Sequence, residues 1–427
     1  MDSGAAVTTS PSTATTGRLF HGWRVVGAGA IVQALQAVFF IQGYGQYAVV
    51  LERQFGWSKT FISAGYAMNR AESGLLGPLQ GWLLGRYGTV AVMRAGVVMM
   101  SSGLLALSQI QNKVQFLAAL LLTAVGASLS GFLSVTTATV KWFERKRARA
   151  LSLSGMGFAI GGGFVPLLVF SLERAGWRWT AAGSGLIFFV LGMALMSTFD
   201  GTPASRGEFV DGVQPSEATQ RSFRAEGVSD VHFTASQALR TRAFWMISLG
   251  HASALLVVGA VIAHLSLYLT SEQGYSLQRA SFVAGSLPLV QIVGNLLGGV
   301  LGDRMNKRIL ASIAMLGHMV GLLLLAFATH RWMIWLFVPI HGLAWGVRGP
   351  LMQALRADYF GSTSFGQIMG FSSLIVMFGT VGGPLVAGIL ADSTGSYRTG
   401  FTILALMAGA GLTFFVLATP PAPPSRS

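Results

Sequence analysis

The sequence has no cysteine and very few charged residues. The lack of cysteine excludes disulfide frameworks, cysteine nucleophiles and thiolate metal sites. Charged residues make up 10% of the 427 positions, whereas an average soluble domain has about 25%. That is too little charge to solvate the surface of a globule of this size, so an ordinary water-soluble enzyme is excluded. Proline is also scarce, with 13 residues, which excludes a Pro-rich disordered chain.

The sequence contains many long runs of apolar residues. Hydrophobic residues account for 52% of the chain, and a helix that crosses a bilayer needs about 20 predominantly apolar residues. The sequence predicts an all-α polytopic membrane protein with twelve transmembrane helices in two six-helix bundles. The predicted spans one to twelve are residues 24–45, 60–84, 93–110, 114–138, 150–172, 180–199, 244–269, 280–301, 310–328, 331–355, 366–390 and 400–418.

Hydrophilic segments divide the chain into two bundles and three connecting parts. Residues 1–23 form an N-terminal tail without Lys or Arg before Arg18, unlike a signal or transit peptide. Residues 200–243 form the only long hydrophilic interior segment, and residues 419–427 form a Pro-rich tail. We therefore predict an N-terminal bundle at 24–199 and a C-terminal bundle at 244–418.

The positions of the basic residues predict the orientation. With a cytoplasmic N-terminus, 19 Lys and Arg residues lie on the cytoplasmic side and 8 in outer loops, as the positive-inside rule requires. We expect a multi-pass protein of the cell membrane, inner or plasma, with both termini in the cytoplasm. The net charge of +14 would suggest nucleic acid in a soluble protein, but the densest basic cluster, 141–149, is flanked closely by two spans. We interpret it as an anchor at the inner leaflet and expect no nucleic-acid partner.

The two halves are related by a constant shift of 218 residues. The shift superimposes seven pairs: Gly56 on Gly274, Ser58 on Ser276, Ser63 on Ser281, Gly81 on Gly299, Arg86 on Arg304, Gly161 on Gly379 and Pro166 on Pro384. Parallel six-helix repeats are known in secondary transporters, in which two bundles rock around a central site. The repeat therefore predicts alternating access.

The loops after spans two and eight carry a resemblance to the major facilitator superfamily. The second half contains Gly299, Asp303 and Arg304, similar to that family's Gly-x-x-x-Asp-Arg motif, and the first half contains Gly81 and Arg86. In the family, the acid of this motif is thought to latch helix ends in the inward-closed state. The first half has glycine at position 85, where the acid belongs, so the resemblance implies a complete latch in the second half alone.

A narrower resemblance is to the monocarboxylate porters and the oxalate/formate exchangers. It is carried by the sequences around Gly22-Trp23, Trp142-Phe143, Gly176-Trp177-Arg178 and Ala357-Asp358-Tyr359-Phe360-Gly361. It implies a small organic anion as cargo. Span one lacks the lysine of animal monocarboxylate carriers, and span eleven lacks the cation of oxalate exchangers, so the identity of the cargo cannot be transferred from either group.

Two arginines fall near the middle of predicted spans. Arg348 lies ten residues before Asp358, or about 15 Å along a helix, and Arg70 lies ten residues into span two. An arginine at the bilayer centre costs at least about 2.5–3.5 kcal/mol, which makes each a candidate for function. A guanidinium donates two parallel hydrogen bonds to a carboxylate. The alternative is that each arginine only binds backbone carbonyls or a buried acid.

Further polar and aromatic residues are predicted to shape the substrate site. His341 and Trp345 share one helical face with Arg348. The other candidates are Gln33, Gln36, Tyr44, His251 and Asn295. For the amides the alternative is hydrogen bonding between helices, and for His251 it is a neutral core histidine.

Glu72 is the only acid deep in a predicted span. It is a candidate proton carrier, because desolvation favours the protonated form of a carboxyl group. The alternative is a fixed buried partner for a cation or hydroxyl on a neighbouring helix.

The sequence as a whole predicts a secondary active transporter that moves a small organic anion. Monocarboxylates are the expected class of cargo, and proton symport is the expected coupling. It contains no ATP-binding loop, no metal cluster and no nucleophile–base pair, so we expect no enzyme activity and no cofactor. We expect a monomer whose partners are the anion, protons and the bilayer. The alternatives are a transporter of an inorganic anion or an amphipathic drug, or a membrane sensor built on a carrier fold.

Overall fold

The computed structural model describes residues 20–57, 72–213 and 232–424, together with Phe61, Gly65 and Met68. These residues are mostly helical, and no β-strand occurs among them. Nine helical stretches within the described residues are long and apolar enough to cross a membrane, and one of them, Arg147–Phe199, covers predicted spans five and six. The prediction of an all-α fold with two six-helix bundles is confirmed.

The helices follow the predicted spans in order. Those of the N-terminal bundle are His21–Gln36 with the π-helical Ala37–Ile41 and then Tyr44–Phe55 (span one), Gly77–Tyr87 (end of span two), Thr89–Leu107 (three), Lys113–Ser130 and Phe132–Trp142 (four), Arg147–Gly163 (five) and Val165–Met196 (end of five, and six). Those of the C-terminal bundle are Arg242–Ser271 (seven), Leu277–Gly302 (eight), Lys307–Ala326 (nine), Arg331–Phe360 (ten), Phe365–Thr394 (eleven) and Tyr397–Leu417 (twelve).

Spans four and five are interrupted, whereas the sequence predicted each as one continuous helix. Span four breaks at Gly131, which has non-helical dihedral angles. Span five breaks after Gly163, and a new helix starts with Pro166 in its first turn. Proline has no N–H to continue a helix but fits well at a helix start, which explains the position of this break.

Each bundle has its own hydrophobic core. One core is built from residues between Val25 and Phe199, and the other from residues between Phe233 and Ala418. A third, smaller cluster joins side chains of both halves, among them Leu84, Leu151 and Phe365. This cluster lies towards the end of the molecule that carries Arg145–Arg149 and Lys307, which we call the basic end.

The bundles meet through two helix pairs that the 218-residue shift relates. Span two packs on span eleven, where a Cβ atom on Gly77 would lie 2.7 Å from the carbonyl oxygen of Gly370. Span five packs on span eight, where a Cβ on Gly299 would lie 2.8 Å from Cβ of Ser152. Small residues allow such close approach of helices. The repeat seen in the sequence is therefore reflected in the packing.

Hydrogen bonds place the start of span one and the ends of spans six, ten and twelve at the basic end. His21 Nε2 lies 2.9 Å from the carbonyl oxygen of Thr198, and the Tyr359 hydroxyl donates to the carbonyl oxygen of Ala418 at 2.8 Å. Both ends of the described chain thus lie on the same face of the molecule.

Candidate functional site

A cavity of about 390 Å³ lies between the two bundles. Three of the predicted residues, Gln33, Gln36 and Asn295, line it. Its other polar lining residues share an uncharged hydrogen-bonding character: Ser73, Gln80, Ser128, Thr136, Ser152, Ser154, Gln353 and Ser373. Volumes of this order suit small-molecule ligands. The described wall of the cavity has many hydrogen-bonding groups and no charged side chain.

The amides of span one also hold the N-terminal bundle together. Gln33 Nε2 donates to the carbonyl oxygen of Ser154 at 3.0 Å. Gln36 Nε2 donates to the carbonyl oxygen of Ala127 at 3.0 Å and to Oγ of Ser130 at 2.9 Å. Their amide nitrogens are therefore engaged with neighbouring helices, although both residues border the cavity.

Glu72 lies directly behind the cavity wall. Its Oε2 accepts hydrogen bonds from Ser128 Oγ at 3.0 Å and from Ser73 Oγ at 3.2 Å, and both serines line the cavity. Its Oε1 is buried and has no hydrogen-bond partner among the described residues. The carboxyl group is thus separated from the cavity by two hydroxyl groups.

Arg348 is buried inside the C-terminal bundle, with 1% of its surface exposed. It does not line the cavity, but its chain neighbours Gly349 and Pro350 do. Its Nε and Nη1 atoms are buried without a hydrogen-bond partner, and it forms no ion pair with a described residue. A buried charge is costly unless it is paired and hydrogen-bonded, and no described acid pairs with this guanidinium.

Two of the predicted aromatic residues contact each other near Arg348. His341 is fully buried, and its Nδ1 lies 3.2 Å from Nδ1 of His318 on span nine. The ring centroids of His341 and Trp345 are 6.4 Å apart. Arg348 lies close enough to His341 and His318 to interact with both electrostatically.

His251 of span seven belongs to the same interior. Its Nδ1 lies 3.4 Å from Nη2 of Arg356, and Arg348 interacts with it electrostatically. Arg356 also donates to Oγ of Ser372 at 2.6 Å and to the carbonyl oxygen of Met352 at 2.8 Å. The structure therefore brings His251 next to Arg356, and His341 next to His318, inside the C-terminal bundle.

Five predicted site residues do not line the cavity: Tyr44 of the N-terminal bundle, and His251, His341, Trp345 and Arg348 of the C-terminal bundle. Tyr44 lies in a separate apolar pocket of the N-terminal bundle with Phe40, Tyr47 and Leu51, because the helix of span one is displaced by the π-helical turn Ala37–Ile41 before it. Arg70 lies outside the described residues.

The latch residues lie at the basic end, where ion pairs cross between the bundles. Asp303 Oδ1 accepts a hydrogen bond from the backbone N–H of Ala148 at 2.9 Å, and Oδ2 lies 3.7 Å from Nε of Arg149. Burial raises the pKa of Asp303, while these backbone hydrogen bonds act in the opposite direction. The carboxylate thus meets the first turn of span five, where a helix favours negative charge.

A second acid joins the bundles close by. Asp358 pairs with Arg147 of span five at 2.5 Å and with Lys307 of span nine at 2.7 Å.

The glycines of the latch motif allow close packing of helices, since Gly81 contacts Gly366 and Gly299 contacts Ser152. The two motif arginines, Arg86 and Arg304, are both exposed and form no ion pair with any residue that the structure describes.

Several residues of this arrangement were not predicted from the sequence. Arg356 and His318 were not among the predicted site residues, because the spacing of residues along one helix does not show contacts between helices. Arg356 lies only eight residues after Arg348. Asp211, in the central loop, accepts hydrogen bonds from the backbone N–H groups of Arg145 at 2.8 Å and Lys146 at 3.1 Å. A lone loop acid gives no such signal in a sequence.

Known proteins share the sequence and the fold over most of the chain. It is 26% identical over 365 residues to the MFS transporter asaE of Aspergillus flavus, which covers 80% of this chain and 76% of that protein. It is 23% identical over 408 residues to human monocarboxylate transporter 2, covering 88% and 81%. The crystal structure of the human organic anion transporter MFSD10 superimposes with a TM-score of 0.69 at 15% identity, covering 92% of this chain and 99% of that one. The sequence profile of the Major Facilitator Superfamily matches residues 27–290 and 247–427, and the chain therefore belongs to that superfamily of transporters.

Proposed function

We propose that the chain transports a small organic anion by alternating access, with proton symport, and that Arg348 binds the carboxylate of the cargo. The main support is the state of this guanidinium, which is buried without a hydrogen-bond or ion-pair partner among the described residues. It belongs to the helix that borders the cavity through Gly349 and Pro350. Monocarboxylates are the first class to test, because human monocarboxylate transporter 2 is among the relatives.

The position of Glu72 supports proton coupling. Ser73 and Ser128 border the cavity and donate to the same carboxyl oxygen, so their hydroxyl groups offer a short path for a proton between the cavity and Glu72. The other oxygen, Oε1, has no partner among the described residues. A protonated carboxyl group is less costly to bury than a carboxylate, and loading and unloading of this proton would accompany the change of conformation.

The basic end supplies the closed gate of the cycle. Asp303 and Asp358 hold span five against the C-terminal bundle in this structure, so opening the cavity towards this end requires that both contacts break. The distribution of Lys and Arg supports a cytoplasmic basic end. On this proposal the structure is the outward-facing state of a monomer in the cell membrane.

A neutral hydroxylated solute is the second candidate, and the cavity wall favours it. The described lining groups are amides and hydroxyls, which suit sugar hydroxyls as well as a carboxylate. The fucose:proton symporter of E. coli shares the fold with a TM-score of 0.67 at 17% identity. On this reading Arg348 is a structural charge of the C-terminal bundle.

Uptake into proteoliposomes separates the two candidates. The full chain is reconstituted and supplied with labelled lactate, pyruvate or fucose, with and without an inward proton gradient. Saturable uptake of the acids that is lost in Arg348→Ala, but retained in Arg94→Ala, supports the anion proposal, because Arg94 is an exposed arginine without a described ion pair. Normal acid uptake in Arg348→Ala would falsify the role of Arg348, and fucose uptake alone would favour the second candidate.

A further inference from the structure

Another cavity, of about 420 Å³, lies between the starts of spans eight and ten. Span eight ends next to Asp303 and span ten ends next to Asp358, both at the basic end, so this cavity lies at the opposite end of the molecule. It shares no lining residue with the cavity between the bundles. We call it the distal pocket, and its lining residues are Gly274, Tyr275, Arg279, Phe282, Arg331 and Trp335.

Two guanidinium groups border the distal pocket without a described counter-charge. Arg279 and Arg331 are both exposed, and neither forms an ion pair with a residue that the structure describes. Glu272, the acid nearest to Arg279 in the sequence, accepts hydrogen bonds from Ser396 Oγ at 2.9 Å and from the backbone N–H of Tyr397 at 2.6 Å instead. The pocket is therefore positively charged and attracts an anion.

Tyr275 adds a hydrogen-bonding group beside one of the arginines. The guanidinium of Arg331 lies 5.9 Å from the centroid of the Tyr275 ring, within the range of a cation–π contact. The Tyr275 hydroxyl is buried and has no hydrogen-bond partner among the described residues. The preceding residue pair is held in place, because Gln273 donates to the Tyr268 hydroxyl at 2.7 Å and to the carbonyl oxygen of Ala328 at 3.1 Å. The distal pocket thus combines two cations with an unused hydroxyl on an ordered loop.

An aromatic ring follows each arginine about one turn further into the bilayer. Phe282 comes three residues after Arg279 and Trp335 four residues after Arg331, and the two rings lie with their centroids 6.0 Å apart. Phe282 is 69% exposed. It begins a stripe of exposed apolar residues on one face of span eight, which continues with Leu289, Val293, Leu296 and Val300. Such a stripe on a membrane helix faces acyl chains, and aromatic rings at its end lie at the level of the headgroups.

We propose that the distal pocket binds an anionic phospholipid, with Arg279 and Arg331 on its phosphate and Phe282 and Trp335 against the start of its acyl chains. A guanidinium donates paired hydrogen bonds to a phosphate, and basic pockets between membrane helices suit anionic headgroups. A soluble anion would leave the exposed aromatic rings uncovered. The bound lipid joins the starts of spans eight and ten, and this role does not depend on the nature of the cargo.

The absence of cysteine allows a local test of lipid binding. Phe282→Cys introduces a single thiol in the distal pocket, and the purified full chain in detergent is labelled with a maleimide in the presence of dioleoyl phosphatidylglycerol or dioleoyl phosphatidylcholine. Each labelling rate is divided by the rate of the same variant without lipid. We expect phosphatidylglycerol to protect the thiol at a concentration at least about tenfold lower than phosphatidylcholine, as for a charge-assisted contact.

Arginine variants show which cations cause this preference. Arg279→Gln and Arg331→Gln, each combined with the thiol, should reduce it at least about threefold. Arg398→Gln is the matched control with the same change in net charge, because Arg398 is an exposed arginine at the start of span twelve whose guanidinium lies 4.4 Å from the ring centroid of Phe327. This control should keep the full preference.

The remaining outcomes would overturn the proposal. Equal protection by the two lipids excludes recognition of the charge, and a preference that persists in both arginine variants assigns it to other cations. Protection by glycerol 3-phosphate, which has the phosphate without acyl chains, would identify a site for a soluble anion. Thermal melting of chains with the native Phe282 is the second measurement. Phosphatidylglycerol should raise the melting temperature of the wild type and of Arg398→Gln more than that of Arg331→Gln, and an equal rise in all three contradicts the assignment.

Discussion

Gly85 packs directly against Gln367, and a Cβ atom on Gly85 would lie 2.8 Å from Nε2 of Gln367. The 218-residue shift places Asp303 and Arg149 in the equivalent positions, since Gly85 corresponds to Asp303 and Arg149 to Gln367. The ion pair at one of the two related contacts between the bundles is therefore replaced at the other by contact between a glycine and an amide.

The first prediction concerns this asymmetry. The double variant Gly85→Asp with Gln367→Arg should create a second ion pair at the basic end and favour the conformation in which that end is closed. A Cβ atom on residue 85 contacts only the far end of the side chain of residue 367. That side chain is flexible, so the two new side chains can be accommodated by a change in its conformation. We expect uptake to slow several-fold, because each cycle must then break an additional contact of about 1 kcal/mol.

The measurement uses the absence of cysteine. Ser373→Cys introduces a single thiol in the cavity, and its reaction with an impermeant maleimide from the basic end reports opening. The reaction should slow in the double variant and remain unchanged in the matched pair Gly85→Asn with Gln367→Arg. Equal slowing in both would indicate a steric effect rather than an electrostatic one.

The second prediction concerns the pH dependence of the latch. Burial raises the pKa of Asp303 in the closed conformation, and exposure on opening returns it towards the ordinary value. The closed conformation therefore binds this proton more tightly, and acidification through the raised pKa should favour closure. The thiolate is the form that reacts with maleimide and its fraction falls as the pH falls, so each labelling rate is divided by the rate of the denatured protein at the same pH. This ratio should fall on acidification. The Asp303→Asn variant should lose the fall in the ratio, and a fall that persists in it would point to another group.

The overall fold was predictable because the bilayer imposes a simple rule on the sequence. Apolar runs of span length and the 218-residue repeat are local or periodic features, and the two-bundle architecture follows from them. The position of the amides Gln33, Gln36 and Asn295 at the cavity was also predictable. Polar side chains within apolar helices are stable only where they face the interior of the protein and not the lipid.

The site inside the C-terminal bundle was less predictable for a physical reason. The stripe of His341 and Arg348 indicates one face of span ten, but not whether that face meets the cavity or the bundle interior. The choice depends on the close packing of span eight against Gly346, where a Cβ would lie 2.6 Å from the backbone nitrogen of Asn295. Such helix–helix contacts fix the rotation of span ten, and one helix viewed alone does not contain them.

The third prediction concerns Asp211, which holds the central loop against the loop between spans four and five. Its carboxylate accepts backbone hydrogen bonds from Glu144, Arg145 and Lys146, and its backbone has a positive φ of 60°. Asp211→Ala should leave these buried donors unsatisfied and lower the free energy of unfolding by about 1–3 kcal/mol. A melting curve and the rate of proteolysis in the central loop measure this. Asp211→Asn tolerates the same backbone conformation and keeps one acceptor, so it should be affected less; equal effects would assign the loss to the missing carboxylate charge, because backbone strain would affect Asp211→Ala alone.

The last prediction separates the two interpretations of Glu72. If its carboxyl group carries the coupling proton, Glu72→Gln should retain exchange of cargo across the membrane but lose accumulation driven by a proton gradient, because the amide keeps the hydrogen bonds of the neutral acid and cannot release a proton. If Glu72 is only a fixed acceptor for Ser128, exchange and accumulation should fall together. Ser128→Ala provides the matched control: it removes the donor that lies 3.0 Å from Oε2 and leaves the acid in place. Proton carriage through these hydroxyls requires that Ser128→Ala slow gradient-driven uptake more than exchange, and equal slowing of both would assign the pair to helix packing.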